Sequence, residues 1–114
     1  MGNSYPWFKL YVEIIYDPKI RRLTSDEKWL WIVLLCLVSQ RDDRHIVCVT
    51  DNVPYEFFEL YDLCSFDHFE HKMDKEEFIS KALKKFSLLG MIEFLGNKCI
   101  SVKNFKKRQD SILS

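Results

Sequence analysis

The side chains with the plainest chemical potential in this sequence are lysines. Lys75, Lys81, Lys84 and Lys85 fall within residues 75–89, with the hydroxyl of Ser80 among them. Amines at that density neutralise phosphates, and a hydroxyl can donate to a phosphate oxygen. Lys98 follows, and then a basic run of Lys103, Lys106, Lys107 and Arg108. Together they make a candidate surface for double-stranded DNA. No arginine lies in 75–89. Because a bidentate arginine on guanine is the commonest specific base contact, this stretch should discriminate sequence only modestly, leaving more to Lys98 and the basic run. Glu77 and Lys81 are four apart in the favourable order, so an alternative stands: the charges only solubilise and staple a helix.

Other chemistries find less support. Cys64, His68 and His71 form a C-x3-H-x2-H cluster without a fourth ligand at convincing spacing, so no metal is expected. Three glycines cannot readily build a phosphate-cradling loop, and there is no nucleophile elbow or triad pattern. Glu76 and Glu77, adjacent on a helix, point in different directions and make a poor carboxylate dyad. The expectation is a protein that is not an enzyme and needs no cofactor.

Phe78, Ile79, Ala82, Leu83, Phe86 and Leu89 recur at helical spacing and predict a helix over 75–89 with one apolar stripe. Asp74 is the expected N-cap and Gly90 the left-handed residue beyond the C-terminus. A hairpin over 91–102 follows. A two-residue loop at Gly96 and Asn97 would set Ile92 and Phe94 on one face with Cys99 and Ser101, wasting the apolar pattern. A three-residue loop over 96–98 aligns Ile92, Phe94, Ile100 and Val102 instead, so that form is predicted, with a left-handed residue near its end.

Upstream, alternation over residues 7–12 suggests a short extended segment, an added strand or an arm, and Asp17-Pro18 opens a helical turn to Leu23. Thr24 and Glu27 form a capping box for a helix over 25–39 that is apolar almost all round and should be the hub of the core. Residues 45–50, β-branched, predict a strand. From 52–54 a second helix start leads into an acidic, aromatic run to about Glu70, with a break near Ser65. The expected fold is α+β, mostly α, a winged helix-turn-helix with a small antiparallel sheet. It forms one domain over 1–114, with an N-terminal arm and short helix over 1–23 and a basic to polar tail over 103–114.

The net charge of zero conceals a segregation. Residues 1–50 carry seven basic and six acidic groups, 51–74 one and seven, and 75–114 nine and four, or +1, −6 and +5. A neutral total therefore leaves room for a polyanionic partner, with the acidic segment facing away from it. Within that segment Tyr55, Phe58 and Tyr61, together with the outward Leu88 of the lysine helix, are candidate protein-interface residues, as for a homodimer or higher homo-oligomer. The alternative is a solvated helix pair with its aromatics inward. Four cysteines in apolar or aromatic runs, without a signal peptide, are expected to be reduced core residues of a cytoplasmic protein, with Cys48 and Cys99 on neighbouring strands. The longest apolar run, 29–38, is too short to span a membrane.

Several separated pieces resemble one family: WFKLYVEIIYDPKI, WLWIVLLCLVSQ, VTDNVPYE, ALKKFSLLGMIEF and ISVKNFKKRQ. They are similar to the N-terminal domain of phage and plasmid replication initiators, the replisome-organiser type related to the DnaD winged helix. The likeness runs from Trp7 to about Gln109. In the closing motif Asn104, Phe105, Lys106, Lys107, Arg108 and Gln109 follow the family loosely, with Phe where Trp is commoner. The acidic segment between Tyr55 and Asp74 departs from it. The resemblance implies binding to origin DNA, self-association, or both, with replisome proteins recruited through a separate C-terminal domain. That domain is not among these residues, so a fragment or short homologue is expected. The alternative readings are a protein–protein module on the same fold without strong DNA binding, self-assembling through the acidic-aromatic surface or the N-terminal arm, and a winged-helix transcriptional regulator.

Overall fold

Thr24 and Glu27 set the first long helix in place. Thr24 Oγ1 accepts from the Glu27 amide at 3.2 Å, and Glu27 Oε1 accepts from the Thr24 amide at 2.8 Å. Two donors that the helix would leave orphaned are thereby satisfied. The computed structural model describes residues 7–40, 46–48, 53–103 and 105. In chain order they form a 3-10 helix (Val12–Tyr16), α1 (Pro18–Arg21), α2 (Ser25–Ser39), β1 (Ile46–Val47), α3 (Phe57–Leu63), α4 (Lys72–Leu88), β2 (Ile92–Phe94) and β3 (Ile100–Val102). The fold is α+β and mostly helical, with one three-stranded antiparallel sheet ordered β1-β3-β2.

The core is the meeting of α2, α3, α4 and the sheet. Leu30, Leu34 and Val38 of α2 are sealed against Leu60, Ile79, Leu83, Phe86, Ile92 and Val102. Each large apolar side chain so buried contributes roughly 1.5 to 3 kcal/mol. α2 is the expected hub except along one side, where Lys28, Trp29 and, two turns on, Cys36 are exposed. The Trp29 indole still finds a partner, donating to the Cys64 carbonyl at 2.9 Å.

α4 ends as its sequence requires. Gly90 takes φ +77°, its amide donates to the Ser87 carbonyl, and the Met91 amide donates to Phe86. That is a Schellman closure, which only a left-handed residue permits. The start differs from expectation. α4 begins at Lys72 after His71, which makes no side-chain cap, and Asp74 lies within the first turn, where its charge meets the positive end of the helix dipole.

The hairpin has the predicted three-residue loop. Ile92 faces Val102, Glu93 faces Ser101 and Phe94 faces Ile100. The Leu95 amide donates to the Cys99 carbonyl at 2.9 Å, leaving Gly96, Asn97 and Lys98 as the loop, with Lys98 left-handed at φ +69°. Phe94 shares the inner face yet stays open at its end.

Other expectations are corrected. Residues 7–11 form no strand, and a 3-10 helix begins at Val12. α3 starts at Phe57, after Glu56, rather than at 54, and ends at Leu63. The break near Ser65 stands, since that residue is left-handed at φ +58°. Within the strand expected over 45–50, only Ile46–Val47 is strand, and His45, Val49 and Thr50 lie outside the described residues. The cysteines are not all reduced and not all in the core. Cys48 and Cys99 are joined by a disulfide, Cα to Cα 5.9 Å, one step beyond the Val47–Ile100 pair, while Cys36 is exposed and Cys64 is buried as a free thiol.

Candidate nucleic-acid interface

α4 turns two faces in opposite directions. Ile79, Ala82, Leu83 and Phe86 look into the core; Glu77, Lys81, Lys84 and Leu88, at steps of four, three and four, form an exposed line on the other side. Ser80 sits half-buried beside that line. Lys81 makes a 3.5 Å ion pair with Glu77 in which both side chains are largely solvated. Such a pair stabilises little, so the amine remains exchangeable. Lys84 makes no ion pair among the described residues.

Two lysines of the candidate set are engaged elsewhere. Lys75 donates to Asp62 Oδ1 at 3.2 Å and lies over the Tyr61 ring, tying α4 to α3. Lys85 donates to Glu27 Oε1 at 2.8 Å, tying α4 to the capping box of α2. Burial alone would raise the Glu27 pKa, but the hydrogen bonds from Lys85 and Thr24 and the Lys85 charge outweigh it and leave the carboxyl below its ordinary value. Both amines are therefore corrected from phosphate contacts to ties between helices. Their partners stand thirteen and fifty-eight residues away in sequence, beyond any helical spacing rule.

The remaining cations extend the surface past α4. Lys98 is exposed at the hairpin tip. Lys103 is exposed after β3, and its amide donates to the Met91 carbonyl at 3.1 Å, which sets it beside the end of α4. Phe105 is buried against Phe8, ring centroids 5.8 Å apart. Lys106, Lys107 and Arg108 lie outside the described residues.

Of the interface candidates, Tyr61 is corrected outright. It is wholly buried amid Phe66, Phe69 and Phe78, and its hydroxyl accepts from the Phe69 amide at 3.0 Å. Tyr55 and Phe58 are half-buried, with the Lys72 amine 4.7 Å over the Phe58 ring. Leu88 is 88% exposed. The described part of the acidic-aromatic segment thus folds largely on its own rings, while Glu56, Asp62, Asp67, Glu70 and Asp74 are exposed. More exposed large apolar side chains belong to the arm, the other self-assembly candidate: Trp7, Leu10, Val12, Ile15 and Tyr16. A cleft of about 470 Å³ runs beneath that arm, lined by Ile14, Ile20, Trp31, Leu35 and Met91 among others.

The Cys64, His68, His71 cluster does not converge. Burial, aided by the nearby Asp26 charge, pushes the Cys64 thiol up to about 12, so it holds its proton. His68 stacks on Phe66 and donates to Asp26 Oδ2 at 2.8 Å, and His71 precedes α4 on the surface. Among the described residues no three His, Cys, Asp or Glu side chains are grouped to hold a metal ion. No helix of the described residues is long and apolar enough to cross a membrane. Compared with family models, curated proteins and solved structures, the chain gives no match to any of them.

Proposed function

We propose that the chain is the DNA-binding domain of a phage or plasmid replication initiator. In this reading it is a winged helix that meets duplex DNA with the outer face of α4, the hairpin tip and the basic segment after β3. The order of elements supports the layout: α2, β1, α3, α4, then a β2–β3 hairpin whose second strand lies between its partner and β1. A helix packed in the core on one side and offering amines on the other, followed at once by a hairpin, suits entry into a groove. The observation that carries the reading is the pair Lys81 and Lys84, exposed on the one face of α4 that the core leaves open. Lysines act there as point charges on phosphates, giving affinity and register more than base discrimination. The replication role itself rests on the sequence resemblance. Titration of a random and an origin-derived duplex across a salt series tests the reading. A slope reporting about three or more neutralised phosphates is expected; a smaller one rejects it.

The second reading is self-assembly through the arm. Five large apolar side chains exposed within residues 7–16 favour it, since contiguous apolar surface marks contact sites. Sedimentation beside the salt series separates the two: assembly with no binding to any duplex favours the second alone.

A further inference from the structure

We infer that the duplex meets α4 through its C-terminal half, where Leu88 makes an apolar contact with thymine methyl groups in the major groove. This deepens the DNA-binding reading and rests on it. The charges divide α4 along its length. Its first half carries Asp74, Glu76 and Glu77, and its early lysines are committed, Lys72 over the Phe58 ring and Lys75 to Asp62. A phosphate backbone is repelled there. The second half offers Lys81 and Lys84 outward, with the backbone bond from Lys103 to Met91 bringing another exposed cation to the same end. Lys85, next to Lys84 in sequence, is turned away to Glu27 and does not crowd that face.

Leu88 stands on this outward line one turn beyond Lys84 and is the most exposed large apolar side chain described, at 88%. The core does not require it there, for the helix is closed by Phe86, Gly90 and Met91. A leucine one turn beyond a phosphate-seeking amine suits a groove floor, where the thymine methyl is the one apolar feature of a base edge. The arrangement answers the lack of arginine on α4: the amines hold the backbone and an apolar contact favours T·A pairs. It also differs from the usual helix-turn-helix docking, in which the N-terminal residues of the recognition helix reach the bases.

The test uses the full chain and random-sequence duplex pools made with thymine or with uracil, read by fluorescence anisotropy at one low salt concentration. The native protein should bind the thymine pool more tightly, by about fourfold for each methyl contacted. Leu88→Ala should bind both pools equally while keeping its circular dichroism melt. Lys84→Ala should lower the salt slope by about one, and Lys72→Ala should leave it unchanged. Equal affinity of the native protein for the two pools overturns the inference while leaving DNA binding intact. So does a Leu88→Ala protein that still separates the pools, or that changes sedimentation and not DNA affinity. Binding to neither pool overturns the DNA-binding reading and this inference together.

Discussion

The arm and α4 carry comparable numbers of large apolar residues and use them in opposite ways. In α4 they fall at helical spacing, and Ile79, Leu83 and Phe86 vanish into the core. In residues 7–16 they follow no sustained period, and the 3-10 helix Val12–Tyr16 buries none of them. The arm is held at a few points instead. Ser39 Oγ donates to the Trp7 carbonyl at 3.2 Å, and Phe8 rests edge-on against Phe105. The lesson is that apolar content does not commit a segment to a core; a pattern that can turn one face inward does. A segment lacking such a pattern leaves apolar surface for other uses.

Stability measurements should separate the two segments. Phe86→Ala should cost about 3 to 5 kcal/mol in a denaturant titration, because a sealed ring leaves a cavity among Trp31 and the α2 leucines. Reduction of the Cys48–Cys99 disulfide, or the double Cys→Ser variant, should cost about 2 to 4 kcal/mol, read as a lower Tm, since the bond closes a chain separation of 51 residues. Thr24→Ala should cost about 1 kcal/mol by removing one half of the capping box. Ile15→Ala should stay within about 0.5 kcal/mol. A loss at Ile15 as large as that at Phe86 would erase the distinction between arm and core.

Acid sharpens the same contrast at the Lys85–Glu27 tie. Glu27 has its pKa lowered in the fold, so its contribution is present above the ordinary 4.5 and is lost as pH falls through the folded value. The stability gap between the native chain and Glu27→Gln, followed by urea melts from pH 7 downward, should therefore close below about pH 4.5. A gap that persists unchanged into stronger acid would show that the carboxylate charge is not what joins α2 to α4.

Local rules were legible wherever a residue answers to its near neighbours. The Thr24 capping box, the Asp17 cap before Pro18, the Gly90 closure and the three-residue loop at 96–98 all depend on residues within about five positions. The arm misled because alternation over six residues can be met by irregular chain as well as by a strand. Tyr61 misled because composition does not say which aromatic of a run turns inward. Lys75 and Lys85 misled because an amine's partner on another helix is set by packing, which periodicity does not reach. The disulfide needed the register of β1 on β3, because Cys48 follows β1 and Cys99 precedes β3, one step beyond the Val47–Ile100 pair.

Phosphate neutralisation by the open face of α4 is tested most directly by the dependence of log K on log salt for one duplex, compared between the native chain and Lys81→Ala with Lys84→Ala. The slope should shrink by nearly two, about 0.9 for each amine lost, with the fold retained. A slope unchanged by the double substitution, or no measurable affinity in the native chain at low salt, would contradict it.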